Sequence, residues 1–308
     1  MDPIELIREG KIHRYFRATK KLNVPNLVLH ITQRAAGREP LFIEDDDYLA
    51  MLVLLKEVSA RYSLRVFAFC LMPNHLHLLF SPTGENLYDA MKFLFSRYAM
   101  RFNKKYERKG HLFGGPYRQA VCLDDSYLLA ASLYIHLNPQ KAGLARDPLT
   151  YRWSSCRLYH EEDAPQSFLD PDFILGMLAE GDHATARKMY RDLMRQGRKI
   201  ETEDILEQED SIDRFRSKLD SFISRFFNRI DGRAKIAQLL GLDVTSMDEM
   251  EKLIEEARGA KWQRTPASRE ANKYVIEQLL ARGYNRPQIA QRLGMSRKTI
   301  YNILQSSA

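Results

Sequence analysis

The sequence predicts an α+β fold: a ferredoxin-like antiparallel sheet, then an all-α region, then a helix-turn-helix. Three observations carry this. Residues 26–137 read in the order strand, helix, two strands, helix, strand, helix, which is a ferredoxin-like order with one appended helix. Beyond Tyr159 the composition turns acidic and helix-patterned. The last 42 or so residues space their apolar positions around a single Gly-Met turn, as a helix-turn-helix does.

The first strand is expected over Asn26–Arg34, where Leu27, Leu29 and Ile31 alternate with Val28, His30 and Thr32. Ala36-Gly37-Arg38-Glu39-Pro40 breaks it. Asp45, Asp46 and Asp47 place negative charge at the amino end of a helix running from Tyr48 to Tyr62. Leu64–Leu71 and His75–Phe80 are the second and third strands, separated by a turn at Pro73-Asn74. A long helix follows from Asn86 to about Tyr106, with Arg97, Arg101, Lys104 and Lys105 near its carboxyl end. After a Gly-rich loop at Gly110–Pro116 come a fourth strand, Tyr117–Leu123, and a helix from Ser126 to about Leu137, which Asn138-Pro139 is expected to stop.

Charge supports three domains, at 1–160, 161–260 and 261–308. Lys+Arg outnumber Asp+Glu by 23 to 15 over residues 1–160, trail by 14 to 23 over 161–257 and lead by 10 to 2 over 258–308. Basic ends suggest a polyanionic partner. The acidic middle, with helix-like stretches at 170–179, 184–195, 211–228, 233–240 and 248–258, carries no chemical constellation and reads as a solvated helical domain. The basic, aromatic stretch before Asn26 is either an arm for nucleic acid or a mobile terminus, the second being the commoner case. Cys70, Cys122 and Cys156 have no paired spacing for a zinc site or a disulfide framework. With no secretory signal and no membrane-length apolar run, a cytoplasmic, nucleoid-associated protein without a membrane partner is expected.

Within this frame the run Met72-Pro73-Asn74-His75-Leu76-His77-Leu78-Leu79 puts His75 and His77 on one face of a strand and Leu76, Leu78 and Phe80 on the other. Alone, such a pair fits two half-buried histidines bonded to local carbonyls as well as it fits a metal or phosphate site. Tyr134 and Asn138, four apart on the following helix, share a face from which His136 is turned away. At the carboxyl end, Arg286–Leu293, the Gly294-Met295 turn and a helix capped by Ser296 would set Arg297, Lys298, Thr299, Tyr301 and Asn302 at the start of a recognition helix for duplex DNA; an ordinary three-helix bundle is the alternative.

The histidine run, Tyr134-Ile135-His136-Leu137-Asn138-Pro139, His30-Ile31-Thr32-Gln33-Arg34, Gly110-His111-Leu112-Phe113 and Trp153-Ser154-Ser155 together resemble the signature segments of the single-tyrosine HUH transposases, in particular the REP-associated tyrosine transposases. The resemblance covers residues 20–160. It implies a nuclease domain that cuts and joins single-stranded or hairpin-bearing DNA at a mobile or repeated element through a 5′-phosphotyrosine link. It places the nucleophile at Tyr134 and the metal histidines at His75 and His77. Asn138 joins them as third ligand through its amide oxygen, by its spacing from Tyr134 and by analogy with relatives.

Few protein ligands leave room for phosphate oxygens, which suits Mg²⁺ or Mn²⁺; imidazole also admits Zn²⁺ or Ni²⁺. Arg97, Arg101, Lys104, Lys105 and Arg118 are candidates for gripping the strand, and His30 and Arg34 either touch DNA or pack. His136 and His111 are expected to orient the helix end and close the loop. Family members work as monomers or homodimers, and both stay open here. Competing readings are a DNA-binding regulator with an unused nuclease fold, and an HUH replication initiator or relaxase. The second is disfavoured by the single usable tyrosine and the lack of a helicase-type phosphate loop.

Overall fold

The computed structural model describes residues 15–16, 21–37, 39–122, 124–162, 166–179, 181–200, 211–212, 214–219, 247–259, 266–281 and 286–305. The expected helix at 233–240, much of that at 211–228, and Arg14, Arg17 and Lys20 of the basic stretch lie outside these residues. The chain divides into two compact units, residues 1–230 and 231–308.

The first unit is built on a five-stranded sheet of order β1-β5-β2-β4-β3, made of β1 (Tyr15–Phe16), β2 (Leu29–Arg34), β3 (Leu64–Met72), β4 (His75–Pro82) and β5 (Arg118–Val121). Every neighbouring pair is antiparallel. Without β1 the order is the ferredoxin-like one, so the fold class read from element order holds. The amino-terminal stretch departs from both expectations at Tyr15 and Phe16, which pair with Ala120 and Gln119 as an edge strand.

Register places the chemistry. Thr32 pairs with His77, Arg34 with His75, and Cys70 and Met72 pair with the same two histidines from the other side. His30, Thr32, Arg34, His75 and His77 therefore share one face, and Leu29, Ile31, Leu76, Leu78 and Phe80 the other. The apolar face is covered by α1 (Asp45–Arg61) and α2 (Leu87–Lys105), whose buried positions include Met51, Leu55, Val58, Met91, Leu94 and Tyr98. At β3 a bulge between Val66 and Ala68 shifts the register by one residue. The outer edge of β3 is covered: Leu71 donates to the Trp153 carbonyl at 2.9 Å, and Phe69 donates to Ser155 Oγ at 2.9 Å. Such cover keeps an edge strand from pairing with other chains.

Helix α3 (Asp125–Lys141) crosses the histidine face. Asp124 caps it by accepting from the Tyr127 N–H at 2.7 Å. It runs past the expected stop: Pro139 lies inside it, and the chain leaves only after Lys141. Proline removes one N–H and disfavours a helix interior by about 3 kcal/mol. Here burial of the whole helical segment from Tyr127 to Pro139 outweighs that penalty. A helix buried on every side needs partners on both. The sheet is one, and α5 (His183–Arg198), which follows the short α4 (Asp172–Leu175), is the other. Gly197 of α5 sits so close that a Cβ there would meet Leu137 Cδ1 at 2.6 Å and Phe215 Cζ at 3.1 Å. Part of the acidic stretch thus packs on the helix that carries Tyr134 and Asn138.

The second unit holds α6 (Met247–Gly259), α7 (Pro266–Ala281), α8 (Arg286–Leu293) and α9 (Arg297–Gln305) around a core of Ile254, Val275, Ile276, Leu279, Ile289, Leu293, Ile300 and Ile303. Gly294, at φ 66°, makes the turn between α8 and α9 in a conformation that favours glycine. Ser296 Oγ accepts from the Thr299 N–H at 3.0 Å and caps α9. No helix among the described residues is long and apolar enough to cross a membrane.

Candidate active site

Four side chains converge between the sheet and α3. His77 projects from β4, and its ring lies edge-on to Tyr134 with centroids 6.0 Å apart. Asn138, one turn further along α3, donates from Nδ2 to His77 Nε2 at 3.1 Å. His75 stands edge-on to His77 at 5.0 Å. Its Nδ1 meets Asn74 Oδ1 at 2.7 Å; a carboxamide oxygen only accepts, so Nδ1 carries the proton. The two structural periods, two for a strand and 3.6 for a helix, bring these groups together.

The cluster is dry. His75 is 8%, His77 3%, Tyr134 1% and Asn138 0% exposed. Burial, then the neighbouring His75, His30 and Arg34, lower the His77 pKa well below the ordinary imidazole value, and burial lowers that of His30 to about 4. Both rings are therefore neutral near pH 7, the state in which imidazole nitrogen can take a cation.

Asn138 Oδ1 is buried and has no hydrogen-bond partner among the described residues. An orphaned amide oxygen beside two imidazoles suits a divalent cation. Among the described residues no group of three or more His, Cys, Asp or Glu side chains could hold a metal. The donor set on offer is therefore two imidazoles and one amide.

The other sequence candidates distribute differently. His30 is buried, with Nε2 2.9 Å from His77 Nδ1 and the two rings stacked at 5.2 Å. It meets a histidine and not an open groove for DNA. Arg34 lies directly across the β2–β4 pair from His75. Arg118 opens β5 and is exposed.

The basic carboxyl end of α2 belongs to the layer on the opposite face of the sheet from Tyr134. There Arg101 binds Asp46 at 2.6 Å, and Lys105 reaches Glu44 and Asp47, each at 2.8 Å. Arg97 lies over the Phe93 ring, and Lys104 is exposed. Arg101 and Lys105, ion-paired with residues 44–47, hold the amino end of α1. In the second unit Arg297, Lys298, Tyr301 and Asn302 are exposed along α9, while the Thr299 hydroxyl meets Ser296 at 2.7 Å.

His136 points away from the cluster, as the helical period requires. Its Nδ1 meets Tyr190 Oη at 2.7 Å and its Nε2 meets Ser155 Oγ at 2.8 Å, while burial lowers its pKa to about 3. Ser155 Oγ also accepts from the Phe69 N–H, so His136 ties α3 to the edge of β3 and to α5. Gly114, in the loop with His111, approaches the end of β2 so closely that a Cβ would meet the Ala35 carbonyl at 2.8 Å. Two residues of evident structural weight were missed in the sequence. Asn74 was read only as a turn former, and Phe215, whose ring packs on Tyr134 at 5.9 Å, fell in a stretch without a chemical signal.

Comparison with known proteins follows the same division. The family model for IS200-like transposases matches residues 23–138, and that for homeodomain-like domains matches residues 267–307. No curated protein matches the chain. Among solved structures, one of a REP-associated tyrosine transposase bound to a REP hairpin is similar at a TM-score of 0.41 and 11% identity, over 50% of this chain and 94% of that one. The stretch similar to IS200-like transposases, residues 23–138, holds both histidines, the tyrosine and the asparagine, and the stretch similar to homeodomain-like domains follows it in the same chain.

Proposed function

We propose that the first unit cuts and rejoins single-stranded DNA at hairpin-bearing or repeated sequences, in the manner of a REP-associated tyrosine transposase, with Tyr134 as nucleophile. One observation carries the reading: Tyr134 and Asn138 present one face of α3 to His77, at 6.0 Å between rings and 3.1 Å between atoms. In this reading the Tyr134 phenolic oxygen bonds to phosphorus, the bond to the 3′-oxygen breaks, and that oxygen leaves with a proton as a 3′-hydroxyl. The product is a 5′-phosphotyrosine, and reversal of the step joins a new 3′-end without a nucleotide cofactor. His75, His77 and Asn138 would hold Mg²⁺ or Mn²⁺, which when bound offsets charge developing on the phosphate. The dry surroundings strengthen every such interaction.

The second unit would bind duplex DNA. Supporting this are the exposed Arg297, Lys298, Tyr301 and Asn302 on a capped helix that follows a glycine turn. Their role would be to bring the first unit to its target.

Incubation with hairpin-bearing single strands and Mn²⁺ tests the reading. A denaturant-resistant protein–DNA adduct is expected, and Tyr134→Phe should abolish it. An adduct of undiminished yield in Tyr134→Phe would remove Tyr134 from its role. The second reading, a DNA-binding regulator, draws on the 1% exposure of Tyr134. It would be favoured by tight duplex binding together with no adduct on any strand.

A further inference from the structure

The geometry points to His30 as a positioning residue that holds His77 in its Nδ1–H tautomer, leaving Nε2 bare toward Asn138. It rests on the reading of His77 as a metal ligand.

His30 lies two residues from Thr32, the direct partner of His77 across β2 and β4, so it is the diagonal neighbour on the same face. Its Nε2 is 2.9 Å from His77 Nδ1, the rings are 13° from parallel, and the residues are 7% and 3% exposed. A separation of 2.9 Å requires one proton between the two nitrogens. Only two proton orders are possible for a pair of neutral rings.

In the first, His77 Nδ1–H donates to His30 Nε2, and His77 Nε2 accepts the Asn138 Nδ2–H at 3.1 Å. Both nitrogens of His77 are then used once, Nδ1 as donor and Nε2 as acceptor. In the second, His30 donates and His77 carries its proton on Nε2, facing the Asn138 N–H donor to donor. Turning the amide over relieves that clash but spends the Asn138 oxygen on the ring. Either form of the second order removes the lone pair a cation would take.

His75 gives the parallel case. Its Nδ1–H is engaged by Asn74 Oδ1 at 2.7 Å, so its Nε2 is likewise the unprotonated nitrogen. The two histidines thus share one tautomer, set at His75 by the turn and at His77 by a residue 47 positions away. Thr32 Oγ1, at 3.3 Å from the same Nδ1, is a longer second acceptor. In metal sites such outer partners orient the ring and raise its basicity, and their loss lowers metal affinity about 10- to 100-fold.

The test uses the full chain with ¹⁵N-labelled histidine, without metal and then titrated with Mn²⁺. Long-range ¹H–¹⁵N correlation reads which nitrogen of His77 bears the proton, and electron paramagnetic resonance reads bound Mn²⁺. The wild type is expected to show Nδ1–H. His30→Gln, which keeps an acceptor near the same place, should retain that tautomer and an Mn²⁺ affinity within about threefold. His30→Leu should move the proton to Nε2 and lose about 10- to 100-fold in affinity.

An Nε2–H tautomer in the wild type overturns the proposal without any variant. So do an unmoved tautomer in His30→Leu and equal losses in the two variants. A wild type with the expected tautomer whose Mn²⁺ binding is matched by His77→Ala would instead overturn the metal reading and leave the tautomer assignment standing.

Discussion

Asn138 Nδ2 donates to His77 Nε2 across 3.1 Å, while the oxygen of the same amide has no partner among the described residues. One side chain is therefore half satisfied. A cation placed beside it would compete for His77 Nε2 and give the oxygen a use. Asn138→Ala should lower Mn²⁺ affinity by at least about tenfold, a loss in the range seen when metal-site groups are removed. Removing the N–H from a buried acceptor should also destabilise the unit by roughly 1–3 kcal/mol. Calorimetric titration and urea unfolding measure the two effects separately. An unchanged Mn²⁺ isotherm would exclude Asn138 from the ligand set.

Asp47 is 2% exposed and collects four bonds: from the Ile43 and Glu44 N–H groups at 2.9 and 3.2 Å, from Tyr106 at 2.7 Å and from Lys105 at 2.8 Å. Burial alone would raise its pKa. The bonds from Lys105, Ile43, Tyr106 and Glu44 outweigh burial and lower it below the usual aspartate value.

A depressed folded-state pKa stabilises the fold above the unfolded value near pH 4, and that stability is lost as pH falls through the folded value. Asp47→Asn should therefore cost roughly 1–3 kcal/mol at pH 7 by weakening charge-assisted bonds, and much less near pH 2. Urea midpoints at the two pH values check this. An equal loss at both would show that the carboxylate charge is not what matters.

Phe215 packs edge-on against Tyr134, and the two rings are each 1% exposed. Phe215→Ala should open the phenol to solvent. Tetranitromethane labelling read by mass spectrometry is expected to spare Tyr134 in the wild type and to modify it in the variant. Equal labelling of Tyr134 in both would mean that Phe215 is not its cover.

What the sequence made legible was local. Strand alternation put His75 and His77 on one face, and helical spacing put Tyr134 and Asn138 together and turned His136 away; each depends only on neighbours within one element. The pairing of His30 with His77 depends on strand register, which no segment carries by itself. The basic end of α2 read as a grip for DNA because its acidic partners, Asp46 and Asp47, are more than fifty residues away in sequence. Pro139 read as a helix stop because local propensity says so, whereas the burial that carries α3 past it comes from the sheet and α5. The compositional break after Tyr159 was real, yet it did not reveal that Tyr190 and Phe215 would pack against the helix of the site.

The burial of Tyr134 bears on when the proposed cleavage could occur. In that reaction a phosphodiester would have to touch the phenolic oxygen of a residue that is 1% exposed. With Tyr134 as the proposed nucleophile, the described arrangement would be a resting state, and competence would require the phenol to be uncovered. Every 1.4 kcal/mol or so of opening free energy lowers the competent fraction tenfold. On the proposed reading, strands that bind too weakly to repay that opening would go uncut, and the packing of Phe215 on Tyr134 would act as a threshold against stray cutting.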